Sequence, residues 1–170
     1  MRFLIIFIFL ITKVVAEEIP GIKNIVIHKI PKTYDNVIFL DKNDQKININ
    51  EYKGNFLILN FWAVWCEPCK EEMPSLDRLQ KKFDKEIFQI LPISLDRGPK
   101  KNSINFFREH NIEELDIYFD DKNNIPREAR AAGLPHSIFI NQNGNEIAKL
   151  IGPAEWDSDY FVNFILETLN

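Results

Sequence analysis

A chain of 170 residues with 45% apolar content has room for one ordinary domain with a real hydrophobic core, which excludes a disordered chain. The formal charge is −4, and 19 basic against 25 acidic residues leave −6 once the first sixteen residues are set aside, so a nucleic-acid partner is excluded. Two cysteines are too few for a disulfide scaffold, and His28, His110 and His136 are scattered without ligand spacing; no metal and no cofactor is expected beyond the cysteine pair itself.

Met1 and Arg2 precede nine apolar residues, Phe3 to Ile11, and Val14 and Ala16 stand at signal-peptidase spacing before Glu17-Glu18. The run is shorter than the roughly 20 residues that cross a bilayer. Residues 1–16 are therefore predicted to direct export, either as a signal peptide cleaved after Ala16 or as a membrane anchor through residues 3–15. Residues 17–35 carry Pro20, Gly21 and Pro31 and are predicted to be a linker, with the folded domain in 36–170.

Val37 to Leu40 and Lys46 to Ile49, separated by Asp41-Lys42-Asn43-Asp44, predict a leading β-hairpin. From Phe56 onward strands and helices alternate, the signature of an α/β sheet. Strands are expected at Phe56 to Trp62, Ile87 to Ser94 and Ile117 to Phe119, with helices over Glu67 to about Phe83, Pro99 to His110 and Asn124 to Ala132, the last ended by Gly133. Ser137 to Ile140 and Glu146 to Ile151 flank Asn143-Gly144, a hairpin signal. A final helix starts near Trp156 to Ser158.

Cys66-Glu67-Pro68-Cys69 sits where an apolar strand gives way to an amphipathic helix. Unpaired N–H groups and the macrodipole at a helix start favour a thiolate, the nucleophilic form of cysteine. Pro68 suits a first turn, which needs no N–H from it. The two-residue gap lets the inner thiol resolve a mixed disulfide formed on the outer one. Cys66 is read as the attacking sulfur and Cys69 as the resolving one.

Phe61-Trp62-Ala63-Val64-Trp65-Cys66-Glu67-Pro68-Cys69 resembles the thioredoxin superfamily signature nearly position by position, and Gly133-Leu134-Pro135 resembles the loop with the family's cis-proline. The resemblance implies a thioredoxin-like fold: a central mixed β-sheet flanked by helices, here with an N-terminal hairpin and a βα insertion. It also implies that Pro135 packs on the disulfide and that the backbone of Leu134 pairs with an extended peptide substrate. Asn60 to Ala63, Cys69 to Leu76, Ile93 to Gly98 and Gly152 to Asp157 are similar to the exported, membrane-tethered TlpA/ResA branch. The last segment is most like TlpA, associated with copper-site cysteines of cytochrome oxidase. The Glu-Pro between the cysteines is most like ResA, which like the CcmG branch serves cytochrome c maturation.

Where thioredoxin has a buried aspartate six residues before the first cysteine, this chain has Asn60, which cannot take a proton. Glu72 is the replacement candidate: it shares a helix face with Leu76, Leu79 and Phe83, whereas Glu71 lies with Ser75, Arg78 and Lys82. A carboxyl on an apolar face has a raised pKa, suited to proton exchange with Cys69. Glu67 beside Cys66 disfavours the thiolate and hence favours a reducing couple. His136, where relatives more often have threonine, opposes it if charged. Trp65 is expected to contact substrate together with Glu67, Pro68, Leu134, Pro135 and His136. Trp62, Phe106, Phe107, Tyr118, Phe119 and Trp156 read as packing, and Arg127 to Arg130 as a solvated helix face.

These residues and the resemblance together predict a monomeric periplasmic protein-disulfide reductase acting in respiratory cytochrome assembly, on oxidase copper-site cysteines or on cytochrome c, soluble after cleavage or tethered to the inner membrane. Its expected partners are protein substrates with cysteine pairs and a membrane thiol electron donor. The alternative is a copper chaperone of the Sco type, although that group uses a C-x-x-x-C pair with a remote histidine. A peroxiredoxin is disfavoured because Pro-x-x-x-Thr-x-x-Cys is absent.

Overall fold

The computed structural model describes residues 22–34, 37–120 and 122–169; the predicted export segment lies outside them. Among the described residues no helix is long and apolar enough to cross a membrane. Eight strands form one mixed sheet in the order β1-β8-β7-β4-β5-β6-β2-β3. The strands are β1 (Ile25–Thr33), β2 (Ile38–Leu40), β3 (Lys46–Asn48), β4 (Phe56–Trp62), β5 (Phe88–Ser94), β6 (Tyr118–Phe119), β7 (His136–Ile140) and β8 (Asn145–Ile151). Among the described residues the α-helices are α1 (Glu67–Gln80), α2 (Lys101–Glu109), α3 (Asn124–Glu128) and α4 (Asp159–Leu169).

Central β4 runs parallel to β5 and antiparallel to β7, which aligns Asn60 with Ser137. Because side chains alternate along a strand, β4 feeds two cores. Phe56, Ile58 and Trp62 meet Met73, Leu76 and Leu79 of α1, Phe106 and Phe107 of α2, and Trp156, Phe161 and Ile165. Leu57, Leu59 and Phe61 meet Leu91, Ile93, Ile138 and Ile140 with Ile125 and Ala129 on the other face. Asn60 is the polar interruption in the first row, fully buried.

The predicted hairpin forms as β2 and β3, and β2 joins the sheet through Leu40 opposite Phe119. The linker expectation fails for residues 25–33: β1 pairs antiparallel with β8, from Ile25 opposite Leu150 to Thr33 opposite Asn145, with a bulge between Ile27 and Lys32. Its signal is weak because β1 is an edge strand with no clean alternation and contains Pro31, which an edge or bulge tolerates. Helix α3 also stops short of Ala132. Arg130 adopts a left-handed φ of 54° and Ala131 N–H closes on Pro126 O at 2.8 Å, ending the helix without the glycine that usually marks this geometry.

Candidate active site

Strand β4 ends at Trp62, and a turn closed by Cys66 N–H donating to Ala63 O at 3.1 Å delivers the chain into α1, with Cys66 as N-cap. Pro68 stands in the first helical turn, as predicted. Cys66 and Cys69 form a disulfide with Cα atoms 5.3 Å apart. Cys66 keeps 6% of its surface accessible and Cys69 none. The peptide bond between Leu134 and Pro135 is cis; Pro135 is buried, and Leu134 borders a groove beside the turn.

Glu72 is 3% exposed, one turn along α1 from Cys69. Its Oε1 accepts from Asn60 Nδ2 at 2.8 Å, and its Oε2 accepts from Trp156 Nε1 at 2.9 Å and Ala154 N–H at 3.1 Å. Asn60 Nδ2 also donates to Ser137 Oγ at 3.0 Å, which fixes the carboxamide across β4 and β7. Burial pushes the Glu72 carboxyl up to about 7, against the three donors that favour its charged form. The sequence reading of Glu71 as exposed and Glu72 as buried holds.

The turn separates two grooves. One of about 650 Å³ is bordered by Trp65, Leu95, Asp96, Pro126 and Leu134. The other, about 520 Å³, is bordered by Glu67, Lys70, Glu71, Phe106 and His110, and Val64 borders both. Trp65 is 70% exposed at the border of the larger groove. Among the described residues no group of three or more His, Cys, Asp or Glu side chains is placed to hold a metal ion.

Residues 28–148 match the AhpC/TSA family, most of the described chain. The chain belongs to that family. Thiol-disulfide oxidoreductase ResA of Bacillus cereus is 30% identical over 125 residues, 73% of this chain and 70% of that protein. A Chlorobium tepidum protein provisionally named thiol:disulfide interchange protein DsbE superposes with a TM-score of 0.73 at 25% identity, covering 82% of this chain and 97% of that one. StoA of Bacillus subtilis shares the fold at a TM-score of 0.61 and 23% identity, over 73% of this chain and 92% of its own. This AhpC/TSA-family chain is a thiol-disulfide oxidoreductase with a thioredoxin-like fold.

Two expected site residues behave differently in this AhpC/TSA-family chain from the sequence reading. His136 offers no surface to a substrate: it is fully buried on the face opposite Glu72, stacked on Phe61 at 6.2 Å, and among the described residues neither ring nitrogen has a hydrogen-bond partner. Burial, with Lys149 adding to it, lowers its pKa against the pull of Glu146, so the ring stays neutral at pH 7 and lends Cys66 no positive charge. Glu67 is exposed, and Lys70 Nζ lies 2.5 Å from its carboxylate, a positive charge that opposes its effect on Cys66. The sequence reading also took Trp156 for packing alone. It does pack, 4.6 Å from Phe161 and 6.0 Å from Phe139, but its indole N–H also holds Glu72.

Proposed function

We propose that this chain reduces disulfides in exported protein substrates, with Cys66 as nucleophile, Cys69 as resolving thiol and Glu72 as the proton acceptor for Cys69. The observation carrying the reading is the Glu72 carboxyl, buried one turn from Cys69 and poised at about 7. Of the two cysteines only Cys66 keeps accessible surface, and it sits at the N-terminus of a 14-residue helix, where unpaired N–H groups favour its thiolate. Its attack breaks the substrate S–S bond, forms a mixed disulfide and releases one substrate thiolate. Glu72 then takes the proton of Cys69. The resulting thiolate attacks Cys66 Sγ, releases the second substrate thiolate and leaves the Cys66–Cys69 disulfide, to be re-reduced by a dithiol donor at the membrane.

The similarity to the TlpA/ResA branch supports a role in respiratory cytochrome assembly, on oxidase copper-site cysteines or on apocytochrome c. Cys69→Ser tests this reading, because it stops the reaction at the mixed disulfide. We expect a Cys66-linked partner to accumulate in the exported compartment. A copper-site protein there supports the TlpA-like role and apocytochrome c the ResA-like one. Absence of any trapped partner, with tight binding of one Cu(I), overturns the reading in favour of a copper chaperone.

A further inference from the structure

Asp96 is a buried carboxylate that the exchange chemistry does not use. It stands two residues past the end of β5, is 8% exposed, and borders the larger groove beside Trp65 and Leu134. A single oxygen, Oδ2, accepts three donors: Val64 N–H at 3.1 Å, Ser94 Oγ–H at 2.9 Å and Ser103 Oγ–H at 2.9 Å. Ser94 lies at the end of β5 and Ser103 on α2, and both are fully buried. The carboxylate is thus braced by two rigid elements and directed at the active-site turn.

That turn needs such a brace. The bond from Cys66 N–H to Ala63 O makes Ala63 to Cys66 a four-residue turn with Val64 and Trp65 at its centre. The turn leaves the Val64 N–H without an acceptor of its own, and an amide partly withdrawn from water without one is costly. Asp96 supplies that acceptor. Just behind it, Leu95 N–H donates to Trp62 O at 2.9 Å, so the strand before the turn is tied to the same segment. The next residue, Trp65, is exposed and borders the larger groove, and the one after is Cys66.

We propose that Asp96 is a positioning residue for disulfide exchange with proteins: by holding the Val64 N–H it sets the turn that presents Trp65 and Cys66 to an extended substrate. Cys69 and Glu72 lie within α1 and do not depend on it. The inference rests on the exchange reaction alone, not on its direction or on the identity of the substrate.

The test compares Asp96→Ala and Asp96→Asn in turnover of a protein disulfide and in exchange of Cys66 with a small disulfide. Losing a hydrogen bond to a charged acceptor predicts that Asp96→Ala raises KM for the protein about tenfold while kcat changes less than about twofold. Small-disulfide exchange should stay within about twofold. Because all three donors meet one oxygen, the asparagine amide oxygen can replace it, and Asp96→Asn should stay near the parent KM. Ser103→Ala, which removes one brace, should shift KM the same way by about two- to threefold and keeps the test open if Asp96→Ala does not fold. An unchanged KM in Asp96→Ala or Ser103→Ala overturns the proposal, as does Asp96→Asn failing as badly as Asp96→Ala, or an equal loss of small-disulfide exchange. A parent protein without any exchange would instead remove the functional reading itself.

Discussion

In the exchange reaction proposed above, Glu72 and Asn60 divide the task that the buried aspartate performs alone in thioredoxin, the superfamily this chain resembles. Asn60 supplies a fixed donor, and Glu72 supplies a carboxyl that burial holds at about 7. If Glu72 accepts the Cys69 proton, release of the mixed disulfide should accelerate as pH rises through about 7. In Glu72→Gln that inflection should vanish and release near pH 7 should slow about a hundredfold, the scale of a lost general base, read by quenched-flow of the Cys66-linked intermediate. Stability should respond too. A carboxyl raised from 4.5 to about 7 contributes stability that is complete below its ordinary value and is lost as pH rises through 7, at most about 3 kcal/mol. Denaturant unfolding of the oxidised protein should show this decline, flattened in Glu72→Gln. Trp156→Phe deletes a donor that favours the charged form, so the kinetic inflection should move to higher pH.

At the scale of elements, the signals that worked were short in range. Apolar Phe56 to Trp62, the first turn with Pro68, and Asn143-Gly144 with its left-handed glycine each specify their own backbone. Strand β1 lacked such a signal because an edge strand gains its definition from its neighbour. It is nonetheless built in. His28 Nε2 lies 2.5 Å from Glu146 Oε1, the Tyr34 hydroxyl donates to the other oxygen of the same buried carboxylate, and Lys32 Nζ reaches Glu128 O at the end of α3. A chain starting at residue 35 should therefore be at least about 3 kcal/mol less stable than one starting at Ile22, since it loses the β1–β8 ladder and the hydrogen bonds of His28 and Tyr34 to Glu146. It should also self-associate through the uncovered edge of β8. Urea unfolding and size-exclusion chromatography check both, and equal stability would restore the linker reading.

For the whole molecule, the sheet sets the pH limits as well as the site. His136 is neutral in the fold, its ring nitrogens have no hydrogen-bond partner among the described residues, and it gains a proton readily only when unfolded. Its lowered pKa means that the stability it contributes is present above about 6.5 and lost as pH falls below that. His136→Phe should keep the stack on Phe61, reduce the loss of stability between pH 7 and pH 5, and add about 1 kcal/mol at neutral pH by removing unpaired polar atoms. Unfolding at the two pH values reads this, and an unchanged acid sensitivity would place its cause elsewhere.

The cysteine pair, its place at a helix start and the buried helix face of Glu72 were legible in sequence because each depends on neighbours within one or two turns. What holds that site was not. Glu72 and Trp156 are 84 residues apart, Asn60 and Ser137 are 77 apart, and Val64 and Asp96 are 32 apart. The burial of His136 and the brace on the active-site turn likewise follow from strand register and from which face of β4 each helix covers. A hydrogen bond between distant residues exists only where the sheet brings its donor and acceptor to the same spot, and no local pattern encodes that meeting.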